Sequence, residues 1–119
     1  MLKRFAQEIC DITHGIIGHH VLITDEKGLT IGSSDPSRLR TIHTPSLECM
    51  SSRTETFTDQ EEASRLKDVK PGVTLPICLA GEVMGSIAIA GDHREVARFG
   101  YLVQKQAELF IREQVIQES

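Results

Sequence analysis

The chain reads GVTLPICLAGEVMGSIAIA at positions 72–90, and this stretch decides the fold. Large apolar residues occupy every second position from Val73 to Leu79, which is the two-residue period of a β-strand. After the turn-like positions 80–82 the second half is apolar on both faces, so the stretch predicts two central hairpin strands covered on both sides. Pro76 argues against a fully central position for the first of these strands, because proline cannot donate to a sheet ladder and prefers an edge or a bulge.

The N-terminal third predicts a helix followed by a second hairpin. Apolar residues at spacings of four, three and four favour an amphipathic helix over residues 3–17. The stripe consists of Phe5, Ile9, Ile12 and Ile16. Residues 21–25 and 29–33 are apolar segments on either side of Glu-Lys-Gly, a pattern typical of a β-hairpin.

Capping signals predict short helices in the middle third and a long helix at the end. Asp35 and Thr44 each precede a proline, and both are residues that cap free N–H groups at a helix start. Thr58 with Glu61 fits a capping box for a third short helix. Asp92 with Glu95 predicts the cap of a last helix that reaches about residue 115.

The order of these elements favours an α+β fold. It runs helix, two strands, short helices, two or three strands, long helix, and each sheet face must be buried against something. We therefore expect a central, mainly antiparallel β-sheet flanked by N- and C-terminal helices, with a PAS-like or Cache-like sensor architecture as the leading expectation.

Length, charge and cysteine content narrow the class of protein. The 119 residues fit one domain, 1–119, and the formal charge of −4, from 13 Lys and Arg against 17 Asp and Glu, disfavours direct nucleic-acid contact by this segment. The most apolar stretch, 71–91, is interrupted by proline, glycine and glutamate, so no membrane span is expected. The three scattered cysteines and the lack of a signal-peptide pattern predict a cytoplasmic location.

Two segments carry residues that could bind an anion. Residues 31–43 combine hydroxyls such as Ser33 with Arg38, His43 and a helix start, all of which favour carboxylate or phosphate. Residues 70–76 bring a cation, a flexible glycine and a hydroxyl to the start of a strand. The same residues also have a purely structural interpretation, in which no anion binds. In that case the arginines are solvated, the histidine packs against the protein, and residues 70–76 only form the loop that enters the strand.

Catalytic and metal-binding patterns are weak. The S-x-x-K spacing at 64–67 lacks the companion motifs of serine acyl-transferring enzymes, so we attribute it to chance. His14, His19 and His20 do not match the spacing of a zinc site, and no Gly-rich phosphate loop occurs. We expect no metal and no cofactor.

The two anion-binding segments and the central hairpin together resemble the sugar diacid recognition domain, the N-terminal sensor of bacterial carbohydrate diacid regulators. The matching segments are 31–39 with His43, 72–77, 81–91 and 98–103. The resemblance spans almost the whole chain, from Ala6 to Phe110. Thr74 departs from it, because the family usually has Asn at that position.

The resemblance implies a PAS-like fold that binds a small hydroxy-acid of the glucarate, galactarate or glycerate class. It also implies a role in transcription regulation, with output through a helix-turn-helix domain that this chain lacks. By motif matching, the implied ligand contacts are Ser33, Arg38, His43, Gly72 and Thr74. We add Lys70 as a second cation for the ligand carboxylate.

Three hypotheses about function follow. The first is an effector-binding sensor that signals through the C-terminal helix. The second is an interaction module that forms a homodimer through apolar positions on the first and last helices. The third, an enzyme acting on a hydroxy-acid, has only His43 as a candidate base, so we expect no enzymatic activity.

Overall fold

A five-stranded antiparallel sheet is the central layer of the computed structural model, which describes residues 2–118. The strands are β1 (Val21–Asp25), β2 (Thr30–Ser33), β3 (Thr56–Thr58), β4 (Gly72–Leu79) and β5 (Glu82–Ala90). Their order across the sheet is β2-β1-β5-β4-β3, and each neighbouring pair is antiparallel. The predicted α+β class and both predicted hairpins are confirmed.

The helices lie on both sides of this sheet. They are α1 (Leu2–Ile17), α2 (Thr44–Ser52), α3 (Gln60–Arg65) and α4 (His93–Glu118), with a single 3-10 turn at Pro36–Arg38. Helix α1 packs on β1 and β2, α4 packs on β4 and β5, and the two helices contact each other. Helix α2 contacts β3, β4 and β5. Every element predicted by length and periodicity is therefore present.

The two faces of the sheet differ in chemistry. The face under α1 and α4 supplies the apolar core, with Ile23, Ile77, Ile87 and Ile89 completely buried. Alternate residues on the same strands point to the other face, and several of these are buried hydroxyls. They are Thr24, Thr74 and Ser86. A polar, buried layer therefore lies beneath α2 and the 34–43 segment.

Pro76 occupies a position on β4 where a strand partner is missing on one side. Strand β3 pairs only with Gly72–Thr74, so the later part of β4 is an open edge. Helix α4 covers that edge: Gln104 Nε2 donates to the Pro76 carbonyl at 2.7 Å, and the Cys78 N–H donates to Glu108 Oε2 at 2.8 Å. The proline thus fits the edge position that its missing N–H requires.

Two predicted caps and part of one stripe are wrong in detail. The N-cap of α2 is His43 rather than Thr44, and the cap of α3 is Asp59, whose side chain accepts from the Glu62 N–H at 2.7 Å. In α1 the buried residues include Ala6 and Cys10, while Ile12 and Ile16 are 54% and 76% exposed. The helix is therefore rotated so that its small residues approach the sheet. Asp35 does cap the 3-10 turn, by accepting from the Ser37 N–H at 3.1 Å.

The cysteines are free thiols. Cys10 and Cys49 are buried and Cys78 is half-buried. Burial raises the pKa of the Cys49 thiol to about 12, so this residue behaves as a small apolar side chain.

Candidate functional site

A cleft opens between the segment that follows β2 and the segment that enters β4. All six residues predicted to contact a ligand line it: Ser33, Arg38, His43, Lys70, Gly72 and Thr74. The whole void, with its open mouth, measures about 350 Å³, but the cavity within its walls is only about 20 Å³. That inner space is enough for about one water molecule, so a larger ligand requires the walls to separate.

Helix α1 fixes the position of Ser33 at the end of β2. The Gln7 side chain bonds the backbone of Ser33 twice, accepting from its N–H at 3.1 Å and donating to its carbonyl at 2.7 Å. The Ser33 hydroxyl accepts from the Asp35 N–H at 3.1 Å. A hydroxyl that accepts at one lone pair keeps its own proton, so Ser33 can still donate into the cleft.

Arg38 is a buried cation without a matching carboxylate. The residue is only 9% exposed, and its Nη2 donates to the Asp68 carbonyl at 2.9 Å. Its Nε–H is buried without a partner among residues 2–118, and no carboxylate oxygen of those residues lies within 4 Å of the guanidinium. Burial lowers the pKa of Arg38, and the charges of Asp35 and Asp68 oppose that shift only in part. An arginine in this state favours an added anion.

His43 lies beside Arg38 and is 5% exposed. Burial, with the positive charge of Arg38 as a second cause, lowers the pKa of His43 to about 4. The imidazole is therefore neutral at pH 7. Its Nδ1 lies 2.7 Å from Ser46 Oγ on α2, and no residue in the described part of the chain bonds Nε2.

Lys70 already has a carboxylate partner at the mouth of the cleft. Its Nζ lies 3.6 Å from Asp35 Oδ2, with the two side chains 48% and 24% exposed. Hydrogen bonds from Ser37 are the main cause that lowers the pKa of Asp35, and Lys70 contributes less. This ion pair joins the segment after β2 to the segment before β4, so it spans the two sides of the cleft.

Gly72 and Thr74 form the floor of the cleft on β4. A Cβ at position 72 would lie 2.1 Å from the carbonyl oxygen of Ile89, so β5 approaches too closely for any side chain. This packing explains the glycine without a ligand. Thr74 is 2% exposed, and its hydroxyl makes no hydrogen bond with the rest of the described chain. It is therefore a free donor and acceptor at the cleft wall.

Sequence reasoning missed three buried hydroxyls behind His43. Ser46 Oγ accepts from Ser86 Oγ at 2.6 Å, and Ser86 Oγ lies 2.7 Å from Thr24 Oγ1. All three residues are completely buried. The available signal was Ser86, a polar residue in the middle of an otherwise apolar strand.

The histidines near the cleft do not form a metal site in the described residues. The rings of His14 and His20 stack with centroids 4.7 Å apart, and His20 lines the cleft. Within residues 2–118 no group of three His, Cys, Asp or Glu side chains could hold a metal ion.

Comparison with known proteins assigns the family. The family model described as "Putative sugar diacid recognition" matches residues 1–119, and the chain belongs to this family. The carbohydrate diacid regulator of Escherichia coli (strain K12) is 31% identical over 110 residues, which are 92% of this chain and 29% of that protein. An uncharacterized protein of Haemophilus influenzae is 30% identical over 117 residues, or 98% of this chain and 32% of that protein. The chain thus spans about a third of the length of these relatives.

Solved structures with similar folds include GAF domains. The GAF domain of an Acinetobacter phosphoenolpyruvate-protein phosphotransferase matches with a TM-score of 0.65 at 11% identity, over 94% of this chain and 82% of that one. The GAF domain of A. Aeolicus nlh2 matches with a TM-score of 0.61 at 12% identity, over 96% of this chain and 86% of that one. The fold is therefore similar to that of GAF domains, and these neighbours do not support the narrower PAS-like or Cache-like expectation. No helix in the described range is long and apolar enough to cross a membrane.

Proposed function

We propose that this chain is the effector-binding sensor domain of a bacterial transcription regulator, and that its cleft binds a small organic acid of the sugar diacid or hydroxy-acid class. The name of the Escherichia coli relative, carbohydrate diacid regulator, supports this ligand class. The family description points the same way. We further propose a cytoplasmic location, with DNA contact made by a part of the regulator other than this domain.

The observation that carries the proposal is the Arg38 guanidinium, which has no carboxylate partner among residues 2–118 and a buried Nε–H without an acceptor there. A buried charge without a counterion costs several kcal/mol, and its unpaired Nε–H adds the cost of an unmade hydrogen bond. A ligand carboxylate in the cleft would remove both costs. His43 Nε2, the Ser33 hydroxyl and the Thr74 hydroxyl would complete the polar lining for a hydroxylated acid.

The narrow cavity implies that binding moves the cleft walls. The Asp35–Lys70 ion pair and the Arg38 bond to the Asp68 carbonyl hold the two sides together. A ligand carboxylate that bonds Arg38 and Lys70 would take the place of the Asp35 carboxylate and the Asp68 carbonyl in these two contacts. Strand β4 runs from this cleft to the contacts of α4 with Pro76, which supports a signalling route into the C-terminal helix.

We propose no catalytic role for His43. A general base works best when its pKa is near the operating pH, and the pKa of His43 is lowered to about 4. At neutral pH the residue is a weak base, and a hydrogen-bonding role suits it better.

The test is a calorimetric titration of the 119-residue chain with glucarate, galactarate, tartrate and glycerate. A charge-assisted hydrogen bond contributes about 1.5 to 3 kcal/mol, so Arg38→Ala is expected to weaken binding of the best ligand by about 10- to 100-fold. Arg94→Ala is the matched control, because the Arg94 side chain is 82% exposed and lies outside the cleft. Equal affinities of the Arg38→Ala variant and the unaltered chain would refute the site.

Homodimerisation is a second candidate, favoured by the exposed apolar residues of α1 and α4. Ile12, Leu102 and Leu109 are each more than half exposed. If these residues form a dimer interface, the apparent mass should rise from that of the monomer to twice that value as the protein concentration increases. Leu109→Ser should shift that equilibrium toward the monomer. Light scattering across a dilution series measures this directly, and the same series with glucarate present shows whether dimerisation depends on an acid.

A further inference from the structure

A line of hydrogen bonds runs from His43 through the polar layer of the sheet. It passes from His43 Nδ1 on the cleft side to Ser46 on α2, then to Ser86 on β5, and ends at Thr24 on β1. The three distances are 2.7, 2.6 and 2.7 Å. Thr24 Oγ1 also donates to the Asp25 carbonyl at 2.9 Å. None of these groups is more than 5% exposed except Asp25, so water does not compete for their protons.

Each hydroxyl has one proton, and this fixes the direction of the line. Ser86 Oγ donates to Ser46 Oγ, so the Ser86 proton is used. The buried Ser46 hydroxyl places its own proton in a hydrogen bond only if His43 Nδ1 accepts it, because no other acceptor in the described chain bonds Ser46 Oγ. Thr24 is the remaining donor, shared between Ser86 and the Asp25 carbonyl. A neutral imidazole that accepts at Nδ1 carries its own proton on Nε2.

We propose that Ser46 and Ser86 are positioning residues that hold His43 in the Nε2–H form, so that the cleft presents a donor to the acid at this point. The assignment rests on the proposed function and deepens it. Two N–H groups then lack a partner along one cleft, His43 Nε2–H and Arg38 Nε–H. Both residues line the cleft, so an acid there would meet two donors, and a ligand with an amine at that position is disfavoured.

The experiment starts with ¹⁵N NMR of the histidine rings in the ligand-free 119-residue chain at pH 7. The His43 signals are identified by their loss in His43→Gln. We expect an unprotonated Nδ1 that accepts a hydrogen bond and a protonated Nε2. In Ser46→Ala the His43 Nδ1 atom loses the hydroxyl that donates to it. Its ¹⁵N chemical shift should therefore move to the value of an unprotonated ring nitrogen that accepts no hydrogen bond. Ser51→Ala, an exposed serine on the same helix, should leave the His43 signals unchanged.

Binding supplies the second measurement. Loss of one neutral hydrogen bond in the positioning line should weaken binding of glucarate or tartrate to Ser46→Ala by about 2- to 12-fold, with Ser51→Ala equal to the unaltered chain. Ser86→Ala removes the donor to Ser46 while leaving Ser46 in place, and should weaken binding in the same direction. It provides an independent variant in case Ser46→Ala does not fold.

The outcomes separate this inference from the proposed function. A proton on Nδ1 of His43 in the unaltered chain overturns the inference, because His43 would then donate to Ser46 instead of accepting from it. Acid binding that is unchanged in both Ser46→Ala and Ser86→Ala overturns it as well. The expected Nε2–H form together with no binding of any acid overturns the proposed function instead, and with it the ligand role of His43.

Discussion

Acidification from pH 7 to pH 5 should destabilise this domain through His43. In the unfolded chain the imidazole has its ordinary pKa of 6.5, and in the folded domain burial, with Arg38, lowers the pKa to about 4. Between these values the unfolded chain binds a proton that the folded domain does not, so the free energy of unfolding falls as the pH falls. Because one pKa unit corresponds to about 1.4 kcal/mol, the loss is about 2 kcal/mol at pH 5 and about 3 kcal/mol below pH 4.

The measurement is urea unfolding at pH 7 and pH 5 for the unaltered chain and for His43→Gln. Glutamine can still bond Ser46 but has no proton to gain, so the comparison removes the carboxylates that titrate in the same range. The unaltered chain should lose about 2 kcal/mol more than the variant between the two pH values. If the free energy of unfolding falls by the same amount in both chains, the argument is refuted, because His43 is then not buried as a neutral ring.

Two further substitutions test the cleft and its floor. Asp35→Asn removes the carboxylate that pairs with Lys70, so glucarate should bind up to about fivefold more tightly by calorimetry, and unchanged or weaker binding contradicts the role of that ion pair. Gly72→Ala should lower the free energy of unfolding by about 3 kcal/mol or more, because the added Cβ would lie 2.1 Å from the Ile89 carbonyl oxygen. Gly15→Ala is its control, because nothing lies within 4 Å of the added atom and alanine favours a helix more than glycine does. Its free energy of unfolding in urea should rise by up to about 1 kcal/mol.

The fold was predictable wherever an element is long enough to show its period. The alternation that begins at Val73 and the largely apolar run after residue 82 correctly predict the central hairpin. Strand β3 is three residues long, too short for any period, so nothing in the sequence distinguishes it from a loop. The exposure of Ile12 and Ile16 was not predictable either, because the rotation of α1 is set by how closely Ala6 can approach the sheet.

The lining of the cleft was predictable as a set of residues but not as a set of contacts, and ligand binding by those residues stays a prediction. Each of the six predicted positions lies on the cleft, since the two segments that carry them meet across the sheet. The pairing of Lys70 with Asp35 depends on how two loops approach, which no local pattern encodes. The partners of the Ser86 hydroxyl were equally hidden, because they lie 40 and 62 residues away along the chain.

The hydrogen bonds that Gln104 and Glu108 make with the edge of β4 matter for any variant of the domain that is truncated within α4. A chain cut before position 104 would leave the Pro76 carbonyl and the Cys78 N–H without partners, on the edge of β4 that faces away from β5. Unpaired strand edges of this kind recruit other strands, and shortened chains should therefore aggregate. The second half of α4 thus protects that edge of the sheet from pairing with another strand, independently of any signal the helix carries.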